Sequence, residues 1–245
     1  MKVAPRRTAD SYLQQNCERN RKRASILLVS GILLILLAVI LLVTISAPWP
    51  IILIVLGLVC LWISRNYFEI AFNYSAGIEG ENAVVEALQV LDDNYYLIND
   101  VIKTGWGGNI DHVLLGPHAI FAIETKNYSG DIRCDGDQWR KKGRRRLYTI
   151  DSASKQARGN AKYLSSLIQE KTDLRIFVTP ICVFTNPYSS LKLRKPTVNV
   201  LRLDELVTFI RETKSSTRLS ESQMQVVAQC ILEEPTEKIE DSKND

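Results

Sequence analysis

Asp111, Glu124 and Lys126 have side chains and spacing suited to chemistry on a phosphodiester bond. If Pro117 and His118 form the centre of a two-residue hairpin turn, the flanking strands place Asp111 directly opposite Glu124. Side chains alternate between faces along a strand, so Lys126 shares the face of Glu124. Directly opposed Cβ atoms lie about 4.5 to 5.5 Å apart, and like charges there are destabilising. The pair therefore predicts a cation between the two carboxylates.

Two carboxylates suit a hard divalent cation. Mg²⁺ binds one or two carboxylates, keeps several waters and commonly contacts a substrate phosphate, and Mn²⁺ accepts the same donors. Such a metal polarises a phosphoryl oxygen and helps to generate hydroxide, while a nearby lysine can hold the attacking water or stabilise developing charge. A solvated hairpin face is the alternative. Apolar residues on both faces favour a buried hairpin, where unpaired carboxylates are costly.

A run of basic residues follows the hairpin, with Trp139 and Tyr148 beside it. Cations can follow a phosphate backbone while aromatic rings stack on bases. The alternatives are a solvated loop and a patch that contacts anionic lipid. The contacts with nucleic acid are predicted for Arg140, Lys141, Lys142, Arg144, Arg145 and Arg146.

The elements that position these residues alternate between strands and helices. Short β-rich runs predict strands at Tyr95–Asn99, Ile110–Leu115, Ala119–Thr125, Asp131–Cys134, Arg144–Ile150, Ile176–Phe184 and Thr197–Leu201. Helical periodicity predicts helices over residues 77–91, 152–170, 203–213 and 220–233. The acidic, polar tail at 235–245 is typical of disorder. The pattern predicts an α/β domain over residues 77–234.

The apolar residues are concentrated near the N-terminus. The chain has 245 residues, 46% hydrophobic and 24% charged with net charge +4, yet the stretch Ile26–Ile63 contains no charged side chain. Ile26–Ser46 alone has the roughly 20 apolar residues that a helix needs to cross about 30 Å of hydrocarbon. Pro48-Trp49-Pro50 ends that helix, and Ile51–Ile63 is a second, shorter candidate. We expect a two-helix transmembrane hairpin over residues 26–64.

Charges beside the hairpin predict its orientation. Arg65 follows the second span, the turn has no basic residue, and four basic residues lie just before the first span: Arg19, Arg21, Lys22 and Arg23. The positive-inside rule then places both termini and the α/β domain in the cytoplasm. Residues 1–25 form a basic cytoplasmic segment, and residues 65–76 form a juxtamembrane connector that could equally begin a helix. Gly31 and Gly57 do not form a GxxxG motif, so no oligomeric state is predicted.

Cysteine and histidine usage excludes several kinds of site. The five cysteines lie far apart with no CxxC pair, so neither a zinc site nor a disulfide scaffold is indicated. The two histidines are too few for multi-histidine metal chemistry. We expect no organic cofactor beside the divalent cation.

Three motifs resemble the nuclease-related domain (NERD) family. They are G-I-E-G-E-N at residues 77–82, I-D-H-V-L-L-G-P at 110–117 and I-E-T-K-N-Y-S-G at 123–130, and the similarity covers about residues 77–167. The family is assigned to the PD-(D/E)xK, restriction-endonuclease-like superfamily. The resemblance implies a mixed central sheet flanked by helices and a Mg²⁺-dependent phosphodiesterase site.

The resemblance also implies roles for five residues. Asp111 matches the metal-binding aspartate, Glu124 the second metal carboxylate and Lys126 the catalytic lysine. Glu81 matches the acidic residue on the first helix, and Gln156 matches the glutamine of the helix after the core strands. Many members carry Asn-Pro shortly before that glutamine, and this chain does not.

These observations predict a membrane-anchored, cytoplasm-facing, Mg²⁺-dependent nuclease-like protein that hydrolyses phosphodiester bonds in nucleic acid, with DNA as the expected substrate. The alternative is a catalytically silent module, tethered to the membrane, that binds nucleic acid or a protein. The complete Asp, Glu and Lys set favours the enzyme. A scaffold held on a lipid surface by the basic run is a third interpretation.

Overall fold

The computed structural model describes residues 1–4, 12–45, 48–105, 107–143, 145–214 and 219–233. The described chain divides into two compact units, one of residues 12–78 and one of residues 1–4 with 79–233. Arg144 and the tail predicted to be disordered, 235–245, lie outside the described residues.

The described chain contains strands, α-helices and one short 3-10 helix, Leu203–Glu205, which directly precedes the fourth α-helix. In chain order they are β1 (Lys2–Val3), α1 (Tyr12–Ile45), α2 (Ile51–Leu88), β2 (Tyr96–Ile102), β3 (Asn109–Leu115), β4 (Ile120–Lys126), β5 (Gly130–Asp135), β6 (Gln138–Lys142), β7 (Leu147–Ile150), α3 (Ala153–Thr172), β8 (Val178–Phe184), β9 (Ser189–Arg194), β10 (Asn199–Arg202), α4 (Leu206–Glu212) and α5 (Glu221–Glu233).

Helices α1 and α2 are both long and apolar enough to span a membrane. The predicted proline turn separates them, and Ile51 N donates to Pro48 O at 3.2 Å where α2 begins. Their apolar side chains are largely exposed, with Val43 at 78% and Trp62 at 67%. Helix α2 continues unbroken through residues 65–76, so the predicted connector is helical, which is the alternative that the sequence left open.

Small residues bring the backbones of α1 and α2 into direct contact. A Cβ placed on Gly31 would lie 2.9 Å from Gly57 O, and one on Gly57 would lie 2.8 Å from Gly31 O. Further along, Ser64 Oγ donates to Ala24 O at 2.8 Å. Close approach at small residues is a common way to pack helices in lipid. The two glycines therefore serve packing within one chain.

The second unit contains a six-stranded mixed sheet with the order β1-β2-β3-β4-β8-β10. Strands β2, β3 and β4 are antiparallel, whereas β4, β8 and β10 run parallel. One face packs on α3 and α5 through residues such as Leu164 and Val227. The other face packs on α4 and the end of α2 through residues such as Ile210 and Val84. The predicted α/β class, with a mixed central sheet flanked by helices, is confirmed.

A four-stranded sheet with the order β7-β6-β5-β9 packs beside α3. Its inner face includes Trp139, whose ring stacks on Phe184 at 5.5 Å between centroids and whose Nε1 donates to Ser154 Oγ at 2.6 Å. Strands β6 and β9 are absent from the sequence prediction, because charged and polar residues fill most of their positions. Burial of one face by a neighbouring helix overrides that weak local signal.

Strand β1 joins the chain before α1 to the unit that follows α2. Lys2 N donates to Tyr95 O and Ala4 N donates to Leu97 O, each at 2.9 Å, so β1 pairs in parallel with β2. The Lys2 ammonium also donates to Glu221 Oε1 at 3.1 Å. Residues 1–4 are thus part of the mixed sheet's unit.

Candidate functional site

The β3–β4 hairpin has the register that its turn predicted. His112 pairs with Ile123, and Asp111 and Glu124 are the next residues along that register. Strand β4 remains paired with β8 as far as Lys126. Glu124 and Lys126 are therefore held by an ordered strand at the point where the β3–β4 pairing ends.

Asp111 is fixed across the hairpin by its own carboxylate. Its Oδ2 accepts a hydrogen bond from the Thr125 amide at 2.7 Å. Burial raises the pKa of the Asp111 carboxyl well above its ordinary value, and the negative charges of Glu124 and Glu81 raise it further. This is the electrostatic pattern of neighbouring acids that share one site.

Glu124 is held from two sides. Its side chain is buried, its Oε1 lies 2.6 Å from Lys126 Nζ, and its Oε2 accepts from Asn160 Nδ2 at 2.9 Å. Burial alone would lower the pKa of Lys126, but the charge of Glu124 and the hydrogen bond to it outweigh burial, so that pKa lies above its ordinary value. Lys126 therefore keeps its proton at neutral pH.

Asn160 and Lys103 belong to this site although neither was predicted. Asn160 lies on α3, is 2% exposed, and accepts from Lys103 Nζ at 2.8 Å while donating to Glu124. The signal in the sequence is a polar residue within the apolar stripe that includes Ala157 and Leu164. A buried amide on such a stripe needs hydrogen-bonding partners, which the carboxylate and the ammonium supply.

Glu81 approaches the site from α2 because Gly80 lacks a side chain. Glu81 is 8% exposed, and its charge acts on Asp111. A Cβ on Gly80 would lie 2.9 Å from both Asn127 Cβ and Thr185 Oγ1. The glycine thus permits the close contact between this helix and the end of β4.

The family model described as "Nuclease-related domain" matches residues 76–185, which include Glu81, Asp111, Glu124, Lys126 and Gln156. Residues 76–185 are similar to this family, and we call them the NERD domain. No curated protein and no solved structure matches the chain. The NERD match runs from the last part of α2 to the end of β8, and so covers both strands of the hairpin and α3.

Within the NERD domain, Gln156 lies one helical turn before Asn160 on α3. Gln156 is exposed, whereas Asn160 is the α3 residue that donates to Glu124. The structure therefore brings Asp111, Glu124, Lys126 and Glu81 together and leaves Gln156 at the surface of that helix. A role for Gln156 stays a prediction.

The basic run of the NERD domain is divided between a strand and a turn. Arg140, Lys141 and Lys142 lie on β6, and the exposed Arg145 and Arg146 lie in the turn before β7. Lys141 points inward, with Nζ 5.5 Å from the centroid of the Tyr128 ring. The run is thus not one uniform loop, since its residues are divided between a strand and a turn and Lys141 points away from the exposed Arg140.

The oxygen donors at the site suit Mg²⁺ better than a softer metal. Asp111 and Glu124 lie on neighbouring strands, and each carboxylate oxygen has two lone pairs, so oxygens that accept one hydrogen bond can also contact a cation. Among the described residues, no group of three or more His, Cys, Asp or Glu side chains could hold a metal ion. A cation there would complete its shell with water and substrate oxygens, as Mg²⁺ commonly does.

Proposed function

We propose that the NERD domain is a Mg²⁺-dependent phosphodiesterase that acts on nucleic acid, with DNA as the expected substrate. The observation that carries this proposal is the grouping of Asp111 and Glu124 at the end of the β3–β4 pairing, with Lys126 Nζ 2.6 Å from Glu124 Oε1. Acidic and basic groups in this arrangement match the requirements of phosphodiester hydrolysis.

Asp111 and Glu124 would hold the cation. When bound, it supplies polarisation of a phosphoryl oxygen and lowers the pKa of water. Asn160 keeps Glu124 oriented, since outer hydrogen bonds fix the direction of a ligating carboxylate. Lys126 acts as a cation and not as a base, because its raised pKa keeps it protonated. Its role is to stabilise negative charge on the phosphoryl group or to orient the attacking water.

We also propose that the protein is anchored in the membrane by α1 and α2, with the NERD domain in the cytoplasm. The exposed apolar side chains of both helices support burial in lipid. The pairing of β1 with β2 supports an even number of crossings, because residues 1–4 and the chain after α2 form one sheet and so lie on one side. The basic residues that flank the helices favour the cytoplasmic side.

The test is a cleavage assay on the full chain in lipid nanodiscs, using labelled single- and double-stranded DNA and RNA. We expect cleavage with Mg²⁺ or Mn²⁺, none with EDTA, and a steep loss in Asp111→Asn and Glu124→Gln. These substitutions keep the side-chain shape and remove one negative charge each. If the wild-type chain binds nucleic acid and cuts no substrate, the silent binding module is the better description.

A further inference from the structure

The outer face of the four-stranded sheet carries a row of cations. Residues Ile132, Cys134 and Trp139 point inward into the core, so the alternate positions on β5, β6 and β9 point outward. Arg133 pairs with Arg140 on one neighbouring strand and with Lys192 on the other. We call four of the outward cations, Arg133, Arg140, Lys192 and Arg194, the basic face.

Acidic neighbours offset only part of this charge. Asp131 accepts from Arg133 Nη2 at 3.1 Å and from Lys192 Nζ at 3.4 Å, and Asp135 pairs with Arg194. Arg140 donates instead to the neutral Gln138 at 3.4 Å. The four cations of the basic face thus stand against two carboxylates.

The part of this positive charge that the two carboxylates do not offset favours a bound anion. Neighbouring strands lie about 4.8 Å apart, and like charges directly opposite each other are destabilising. Arg140 and Lys192 are exposed, on either side of Arg133. The same four cations line a shallow groove with Asp135 and Gln138. A chain of phosphates laid across the strands would neutralise the row.

An exposed aromatic ring lies just before β9, the strand that carries Lys192 and Arg194. Tyr188, immediately before β9, is 82% exposed. Its backbone is held in place, because Gly130 N donates to Tyr188 O at 3.0 Å. A groove of cations with an exposed ring is the combination that single-stranded nucleic acids use, with phosphates on the cations and a base on the ring.

We propose that the basic face docks a strand of nucleic acid through its phosphates, with Tyr188 stacking on a base. This proposal rests on the proposed function in that the docked strand would be the substrate. It extends the predicted contact surface to β5 and β9, which the sequence run on β6 does not reach.

The experiment measures binding without cleavage. Full-length chain in phosphatidylcholine nanodiscs, with EDTA present, is titrated into a fluorescent single strand of about 16 nucleotides. Salt is varied between about 50 and 200 mM. We expect Arg140→Gln/Lys192→Gln to weaken binding and to reduce the slope of log affinity against log salt by about 1.4, which corresponds to two lost contacts on a single strand.

The matched control is Lys162→Gln/Arg175→Gln, which removes the same charge from two exposed positions outside this sheet. It should leave the salt slope unchanged. Tyr188→Ala should weaken binding of the single strand at every salt concentration and keep the slope. Thermal melts establish that each variant is folded, and the single variants Arg140→Gln and Lys192→Gln are used if the double variant is not. Each of them should then reduce the slope by about 0.7.

The proposal would be overturned if the basic-face variants kept the wild-type slope of log affinity against log salt. It would also be overturned if the control variant lost as much of that slope as they do. Loss of binding to phosphatidylserine vesicles with unchanged binding of nucleic acid would also overturn it, by assigning the face to lipid. Failure of the catalytic proposal looks different: the wild-type chain then binds with the expected slope in EDTA and cuts nothing with Mg²⁺.

Discussion

Asn160 Nδ2 donates to Glu124 Oε2 at 2.9 Å, while Lys126 occupies the other oxygen of the same carboxylate. The two donors come from different elements, α3 and β4, so Glu124 is fixed in direction by the packing of a helix on a sheet. Asn160 is therefore a positioning residue for the proposed site.

Replacing Asn160 should weaken both the site and the fold. We expect Asn160→Leu to destabilise the chain by about 1 to 3 kcal/mol, because Glu124 loses a buried donor, and to reduce Mg²⁺-dependent cleavage. Gln156→Ala, on the same helix but exposed, is the comparison. A larger loss of cleavage in Gln156→Ala than in Asn160→Leu would show that the exposed glutamine reaches the substrate and that Asn160 is structural. Melts and single-turnover rates measure the two effects.

Asp111→Asn should stabilise the metal-free chain at neutral pH. Burial, and then the charges of Glu124 and Glu81, raise the pKa of Asp111, so the folded chain holds this proton more tightly than the unfolded chain. The contribution to stability is then fully present below the ordinary value of 3.8 and is lost as the pH rises through the raised pKa. The advantage of Asp111→Asn should therefore shrink as the pH falls. Thermal melts of both chains in EDTA, at pH values from below 3.8 to neutral, test this prediction.

Adding Mg²⁺ should make the wild-type chain more stable than Asp111→Asn. A cation that binds only the folded chain raises the melting temperature in proportion to the logarithm of its concentration. We expect this rise for the wild-type chain and little of it for Asp111→Asn or Glu124→Gln. Calorimetric titration with Mg²⁺ gives an independent measure, and equal binding by all three chains would contradict the assignment of these ligands.

We expect both stability and cleavage to depend on the positive charge of Lys126. Lys126→Gln leaves Glu124 without its ionic partner in a buried setting, and we expect a loss of about 3 kcal/mol in stability and of about 10²- to 10³-fold in cleavage. Lys126→Arg keeps the charge and should retain more of both. If activity followed a lysine deprotonation in its pH profile, the role as a fixed cation would be refuted.

Gly80 and Gly159 form a matched pair of helical glycines. A Cβ on Gly80 would lie 2.9 Å from Asn127 Cβ, whereas one on Gly159 has nothing within 4 Å. We expect Gly159→Ala to stabilise the chain by about 0.5 to 1 kcal/mol through helix propensity. Gly80→Ala should instead destabilise it by about 1 to 3 kcal/mol and displace Glu81. Similar melting temperatures for the two variants would mean that α2 does not depend on this close approach.

Much of the site could be predicted from local rules. The turn at Pro117 sets the register of β3 and β4, and strand alternation then places Lys126 with Glu124, so the position of the carboxylates follows from counting along the chain. Asn160 could not be assigned in this way. Its contact depends on which face of α3 meets the sheet, and that is decided by packing between residues far apart in sequence.

The same distinction explains the strands that were missed. β6 and β9 carry few apolar residues, such as Trp139 and Leu191, and the pairing of β9 with β5 joins segments far apart in the chain. Only the assembled sheet shows that Arg133, Arg140 and Lys192 form one row. The sequence shows only which basic residues are adjacent along the chain, whereas the sheet shows which of them lie on the same face.

The pairing of β1 with β2 has a consequence for any shortened version of the chain. Both long helices lie between these two strands in sequence. The pair of helices α1 and α2 is therefore an insertion between two strands of the sheet, and not a segment that precedes the sheet. A fragment that begins after α1 and α2 loses β1, and β2 becomes an edge strand with unpaired amides and carbonyls. Such an edge is a template for pairing with a second copy. Dimers or aggregates of a truncated domain would then report on the cut and not on the native protein.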